Sequence, residues 1–267
     1  MFKDIKQVMK DSVLYGIGNV AVKLVGFILI PLYTDAEYFS TADYGLMGLL
    51  EVTSQILIAV MGLSLYSGLI RWYWDAEYRD KQKTIFFTTL LFTILTSLCI
   101  GSVLWLNVGE LSALLVQQEG YSLGGELPYI LQLLILTSML GAVVEVPQNL
   151  LRLQRKPIYY SLTNIVRLFV TLVLTIYFTI SLHRGVSGVY EAQLVGIVIQ
   201  LLMVLPLVIK NSSCRVDRKC TIQLLVYSYP LVFPAIVGSL LTVFDRYIIN
   251  HFQGLDDVGF YSLGYKV

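Results

Sequence analysis

The chain has 267 residues, 56% of them hydrophobic and only 14% charged, and a net charge of +1; its mean hydropathy is +0.71. A water-soluble domain carries about a quarter charged residues, so lipid rather than water solvates most of this surface. The same figures exclude a disordered chain, a disulfide scaffold and a nucleic-acid-binding domain.

The elements follow from apolar runs and their polar breaks. Met1 to Lys10 lacks a small-residue cleavage site and is not a removable signal peptide. Phe2, Ile5 and Met9 share one helical face opposite lysines, which suits an interfacial segment over residues 1–11. A first span runs from Ser12 to Tyr33 and carries Asn19 and Lys23 among Gly16, Gly18 and Gly26. The second, Tyr44 to Ile70, holds Glu51 and Gln55, with Gly62, Ser64 and Gly68 permitting close or shifting contacts. The third, Thr84 to Leu106, has no charge. In the fourth, Leu127 to Leu151, Glu145 is followed by Pro147, Gln148 and Asn149. The fifth, Ile158 to Leu182, contains Asn164 and Arg167, and the sixth, Val189 to Ile209, opens on Glu191. The seventh, Ile222 to Ile249, has Pro230 and Pro234 early and Asp245-Arg246 late, and an eighth begins at Val258. These runs lack the period-two alternation of barrel strands, so the expected fold class is all-α, a polytopic transmembrane helical bundle.

Sidedness follows from the basic residues, because Lys and Arg in short loops stay cytoplasmic. Fourteen of the 19 fall at the N-terminus and in the second, fourth and sixth connections, whereas the odd connections together hold only Arg184 and gather acids such as Asp35, Glu37, Asp43, Asp256 and Asp257. The alternation predicts a multi-pass protein with its N-terminus in the cytoplasm. Connections are too short for an extramembrane catalytic domain, so a non-enzyme is expected. Cys99, Cys214 and Cys220 have no metal-type spacing and read as free thiols; no metal site is expected.

Charges inside the spans carry the functional signal, since a charge at the bilayer centre costs about 2.5–3.5 kcal/mol on insertion scales and faces a bundle interior or aqueous cavity. Lys23, Glu51, Glu145, Arg167, Glu191 and the Asp245-Arg246 pair come from six of the seven helices, which predicts a polar central cavity. The competing reading is structural: Lys23 or Arg167 bridged to Glu51 or Glu145, and Glu191 and the Asp-Arg pair snorkelling at a boundary. Pro147, Pro230 and Pro234 permit kinks. In a transporter these positions, with Gly16, Gly18 and Gly26 of the first span and Gly62, Ser64 and Gly68 of the second, would be bending points beside that cavity, and in a static bundle packing details.

Displaced by 214 residues the chain aligns with itself without gaps: Tyr15 with Tyr229, Tyr33 with Tyr247, Asp43 with Asp257 and Gly45 with Gly259. Both copies run in the same direction, so this is a parallel repeat with its axis along the membrane normal. Four parts are expected: the interfacial segment 1–11, a six-helix lobe 12–210, a cytoplasmic linker 211–221 and the start of a second lobe 222–267.

The stretch Asp245-Arg-Tyr-Ile-Ile-Asn-His-Phe-Gln-Gly-Leu-Asp-Asp-Val-Gly-Phe-Tyr-Ser-Leu-Gly-Tyr-Lys266 resembles the helix 7 to 8 region of polysaccharide-unit (Wzx-like) flippases. These belong to the multidrug/oligosaccharidyl-lipid/polysaccharide (MOP) exporter superfamily. Ala42-Asp-Tyr-Gly-Leu46, Arg71-Trp-Tyr73 and Leu150-Leu-Arg-Leu-Gln-Arg-Lys-Pro157 are similar to the same family. The resemblance implies a two-lobed carrier, about twice this length, in a bacterial or archaeal inner membrane. It would flip polyprenyl-diphosphate-linked oligosaccharides from the cytoplasmic to the outer leaflet by alternating access, without a cofactor, coupled to H+ or Na+ and working beside polysaccharide polymerase machinery. On that resemblance Lys23, Arg167, Arg246, Asn19 and Asn164 are substrate-binding candidates, and Glu51, Glu145 and Asp245 are gating or cation-coupling candidates. The near balance of intramembrane charge departs from the more cationic lumen such a flippase would have. Alternatives are export of drugs or of peptidoglycan precursor, and a membrane-embedded glycan enzyme, for which no loop offers the acidic catalytic pattern.

Overall fold

The computed structural model describes residues 28–115 and 125–266, and among them every regular element is helical. After the end of a first helix at 28–33 (α1) come α2 (Thr41–Gly62), α3 (Leu65–Trp72), a 3-10 turn (Ala76–Lys81), α4 (Gln82–Leu106) and α5 (Val108–Leu115). Then follow α6 (Leu127–Leu153), α7 (Pro157–Ile176, prolonged by a π turn over Tyr177–Ser181), α8 (Gly185–Asn211), α9 (Arg218–Phe252) and α10 (Leu255–Lys266). Six helices among the described residues are long and apolar enough to cross a membrane: Thr41–Gly62, Ala76–Leu106, Leu127–Leu153, Pro157–Ser181, Gly185–Asn211 and Arg218–Leu241. They correspond to the second to seventh expected spans. Most of the first span and the interfacial segment lie outside the described residues.

Local signals account for the helix starts. Ser40 and Asp43 form a reciprocal capping box on α2, the Ser40 amide donating to Asp43 Oδ2 at 2.9 Å and the Asp43 amide to Ser40 Oγ at 3.1 Å. Asp217 caps α9 by accepting from the Lys219 amide at 2.9 Å. Connections alternate in charge, so the bundle has a basic end and an acidic end.

In lipid there is little hydrophobic gain from helix association, and packing with small or hydroxyl-bearing side chains decides which faces meet. At the acidic end Leu46, Leu49 and Leu50 of α2 pack with Leu131 and Leu134 of α6 and Val189 of α8. At the basic end Leu65 and Leu69 of α3 pack with Phe86 of α4, Leu150 of α6 and Leu224 of α9. The buried face of α4 carries Thr88, Thr89, Thr93 and Ser97, and the Thr89 and Thr93 hydroxyls donate to carbonyls one turn back. The opposite arrangement holds on α7, where Ile158, Leu162, Ile165, Phe169 and Val173 form an exposed apolar stripe suited to lipid.

The prolines do not interrupt their helices: α6 continues through Pro147, and α9 through Pro230 and Pro234. The break occurs in the second span, at the bending point that Gly62 and Ser64 mark in the sequence. Leu63 (φ 44°) and Ser64 (φ 51°) are both left-handed and separate α2 from α3. Two consecutive non-glycine residues in that region hold an unfavourable backbone conformation.

Two ion pairs tie the basic end together. Lys81 Nζ lies 2.5 Å from Asp217 Oδ2, and Lys219 Nζ lies 2.7 Å from Glu77 Oε1, so the turn before α4 is clasped to the start of α9. The Lys81 ammonium, and then the amide donors of the cap, hold the Asp217 carboxyl below the usual carboxylate range.

Candidate functional site

The break at Leu63–Ser64 faces an open cavity of about 510 Å3 lined by α2, α3, α6 and α9. Gln55, Ser64, Tyr66, Glu145 and Ser239 supply its polar groups, and Ile58, Ala59, Gly62, Pro234, Ala235 and Gly238 its apolar walls. Glu51, Gln55, Ile58 and Gly62 recur at helical spacing, so one face of α2 leads from the acidic end into the cavity. The absence of a side chain at Gly62 makes room for Glu145, whose Oε2 would be 3.8 Å from a Cβ there. Glu145 is half-buried, and among the described residues its carboxylate has no hydrogen-bond or ion-pair partner.

Arg167 occupies a different place. It projects from the face of α7 opposite the lipid stripe and donates through Nη1 to Gln200 Oε1 on α8 at 3.1 Å. Gln200 Nε2 in turn donates to Asn164 Oδ1 at 2.9 Å, and Asn164 Nδ2 to the Tyr160 carbonyl at 2.9 Å. Next to this chain Gln148 of α6 donates to Thr163 Oγ1 at 2.9 Å. Gly196 lets the helices approach, since a Cβ there would be 3.3 Å from the Arg167 carbonyl oxygen. Arg167 and Asn164 are thus brought together, joined by an amide that sequence inspection passed over. Gln200 was visible as the carboxamide nearest the middle of its span, within the charge-free stretch that follows Glu191.

The remaining candidates are distributed around these two features. Arg246 is buried and donates through Nη1 to the Gly48 carbonyl of α2 at 3.1 Å, with its guanidinium 5.4 Å from the Tyr265 ring centroid. Asp245 accepts a hydrogen bond from the Tyr261 hydroxyl. Glu51 is exposed on α2. Glu191 is paired with Arg184 at 2.7 Å and also accepts from the Tyr129 hydroxyl at 2.8 Å, at the acidic end. Lys23 and Asn19 lie outside the described residues. No group of three or more metal-type ligands occurs among the described residues.

Together these placements give a fixed guanidinium on a neutral amide relay, and a separate cavity with one carboxylate at a broken helix. Such a site can bind an anion at one place and a cation or proton at the other.

Comparison with known proteins agrees in architecture. A Vibrio cholerae MATE transporter superposes with a TM-score of 0.69 at 16% identity, covering 98% of this chain and 60% of that one. An inward-facing multidrug-resistance MATE family transporter of the MOP superfamily gives 0.63 at 15%, covering 95% and 57%. A MOP superfamily transporter from Pyrococcus furiosus, described as having a binding pocket of reverse polarity, gives 0.62 at 17%, covering 92% and 53%. The chain therefore spans between about half and 60% of the length of these structures. No curated protein matches it. The profile of the family described as polysaccharide biosynthesis protein matches residues 8–267, and the chain belongs to that family, with the helical lobe fold of MOP-superfamily transporters.

Proposed function

We propose that this chain forms one lobe, and the start of a second, of an inner-membrane carrier with its N-terminus in the cytoplasm. The carrier flips polyprenyl-diphosphate-linked oligosaccharide units to the outer leaflet for surface polysaccharide assembly, by alternating access and with an ion gradient as driving force. The observation that carries the reading is Arg167, a guanidinium within a membrane span whose one described side-chain partner is the neutral amide of Gln200. A cation held there without a countercharge is costly, and an anionic headgroup supplies the missing charge. A guanidinium also presents paired donors that fit phosphate oxygens bidentately. Asn164 holds Gln200, which holds Arg167, so the relay positions the guanidinium. Lys23 would add a second cation to the same lobe. Glu145, solitary in its cavity, suits a coupling H+ or Na+, and Gln55, Ser64, Tyr66 and Ser239 offer hydrogen bonds to sugar hydroxyls.

The test is Arg167→Ala and Arg167→Lys in the intact carrier, with surface polymer and protein level measured together. Loss of polymer at normal protein level is expected in the alanine variant, with partial recovery in the lysine variant. Normal polymer in the alanine variant would overturn the headgroup role. The resemblance to multidrug transporters favours a second reading, export of another amphiphile by the same lobe, which predicts drug sensitivity with normal polymer when the chain is lost.

A further inference from the structure

The break in the second span divides its contacts in two. The longer arm, α2, meets α10 at the acidic end, where Gly45 lies against Leu255 and Gly259 and Gly48 against Ser262. The shorter arm, α3, meets the other end of the same hairpin: Gly68 lies against Leu224 and Ser228 of α9. Between the two seams α2 and α9 separate around the cavity, and the break itself forms part of the cavity wall through Ser64.

The break is supported from outside the span. In a continuous helix the Leu65 amide would donate to the Met61 carbonyl; among the described residues that bond is absent, and the Thr96 hydroxyl of α4 lies 2.8 Å from Met61 O, sharing its one proton between that carbonyl and its own-helix Phe92 carbonyl at 2.9 Å. Ser64 Oγ reaches across to the Leu231 carbonyl of α9 at 3.3 Å. A buried carbonyl in lipid must find a donor, so Thr96 makes the broken form tolerable. The left-handed conformations of Leu63 and Ser64 oppose it. Two near-balanced arrangements of one element are the physical requirement for a switch.

We propose that Leu63–Ser64 is the pivot of a two-armed gate, in which α2 swings off α10, and off the Arg246 and Tyr247 side chains of α9, at the acidic end while α3 stays seated on the start of α9. Straightening the break restores the Met61–Leu65 hydrogen bond, releases Thr96 and parts the acidic-end seam, opening the cavity to that side. Re-forming the break closes it. The proposal rests on the transporter reading, but the distances that test it need no substrate.

The experiment is pulsed electron–electron distance measurement on the intact carrier in nanodiscs, with Cys99 and Cys214 replaced by serine and Cys220 by alanine. One spin-label pair, Glu37→Cys with Asp256→Cys, spans the acidic-end seam; the other, Arg71→Cys with Arg218→Cys, spans α3 and α9. The acidic-end pair is expected to show two distances and the basic-end pair one. Thr96→Val, which removes the donor without changing shape, raises the longer acidic-end population, and Leu63→Gly, which removes the left-handed penalty, raises the shorter one, each by about fivefold or more. One acidic-end distance unmoved by either variant, or equal movement of both pairs, overturns the pivot. Two distances that respond as stated in a protein whose loss leaves surface polymer intact would sink the saccharide reading and leave the pivot standing.

Discussion

Gly45 and Gly259 face one another across the α2–α10 crossing, and each lies against the carbonyl of the residue four before the other. A Cβ on Gly45 would stand 1.9 Å from the Leu255 oxygen, and one on Gly259 2.5 Å from the Thr41 oxygen. The positions are 214 residues apart, as are Thr41 and Leu255, and as are Gly48 and Ser262, which also touch. Reciprocal contact between equivalent positions is the mark of a twofold axis, here within one chain. The internal repeat legible in the sequence is therefore a packing relation, with the axis passing through the α2–α10 seam.

Gly45→Ala should cost about 1–3 kcal/mol, because backbone cannot yield as a flexible side chain can. Gly238→Ala is the control: nothing outside its own helix lies within 4 Å of that Cβ, and alanine favours the helix. Thermal unfolding in detergent should separate the two. An equal effect of both substitutions would mean that the crossing is not close.

Arg246, singled out in the sequence as a substrate contact, ties α9 to α2 through the Gly48 carbonyl. Arg246→Met should destabilise the chain by about 2–3 kcal/mol, the worth of a charged hydrogen bond and the partner left unpaired. Arg246→Lys should recover little, since an ammonium lacks the planar surface that rests on Tyr265. A melting temperature unchanged in the methionine variant would refute this anchoring role.

How much of this was legible follows from range. Span number and charge alternation are written in runs of 20 or so residues, and the bilayer enforces both. Gly62, Ser64 and Gly68 mark a bending point in the second span, but the left-handed form of the break at Leu63–Ser64 is not written locally, because neither residue favours that conformation; seams to α10 and α9, formed by residues near 258 and 226, and the hydroxyl of Thr96 support it. The partner of Arg167 was hidden for a similar reason. Charge inventory offers Glu145 on α6 as its countercharge, but α7 turns its polar face to α8, and only the fold shows that Gln200 meets the guanidinium.

The clasp at the basic end should give stability a pH dependence with a definite sign. The Asp217 carboxyl is held below its ordinary value, by the Lys81 hydrogen bond first. Its contribution is therefore complete above the unfolded carboxyl value of about 4 and is lost as pH falls through the depressed folded value. Asp217→Asn keeps a competent helix cap while removing the charge, so it should flatten that acid limb by lowering stability at neutral pH and leaving it unchanged in acid. The pair is exposed, so added salt should act in the same direction. An acid limb identical in the two proteins would remove Asp217 from the account.

Gln200→Glu distinguishes a structural role for Arg167 from anion capture. The substitution keeps the shape of the side chain and an acceptor 3.1 Å from Arg167 Nη1 and adds a countercharge inside the membrane span; it also removes the neutral Nε2 donor to Asn164 Oδ1, a smaller loss than the gain of a charged hydrogen bond. If Arg167 only fixes α7 to α8, supplying its missing partner should raise stability and leave function intact. On the anion-capture reading the new carboxylate competes with the headgroup for the same donors, so stability rises while surface polymer falls. Gln200→Leu should do the reverse to the fold, costing about 1–3 kcal/mol by leaving the guanidinium and the Asn164 carbonyl without their partners. The decisive measurement is melting temperature and polymer level in the same Gln200→Glu strain: a more stable carrier with undiminished polymer would leave Arg167 as a packing element.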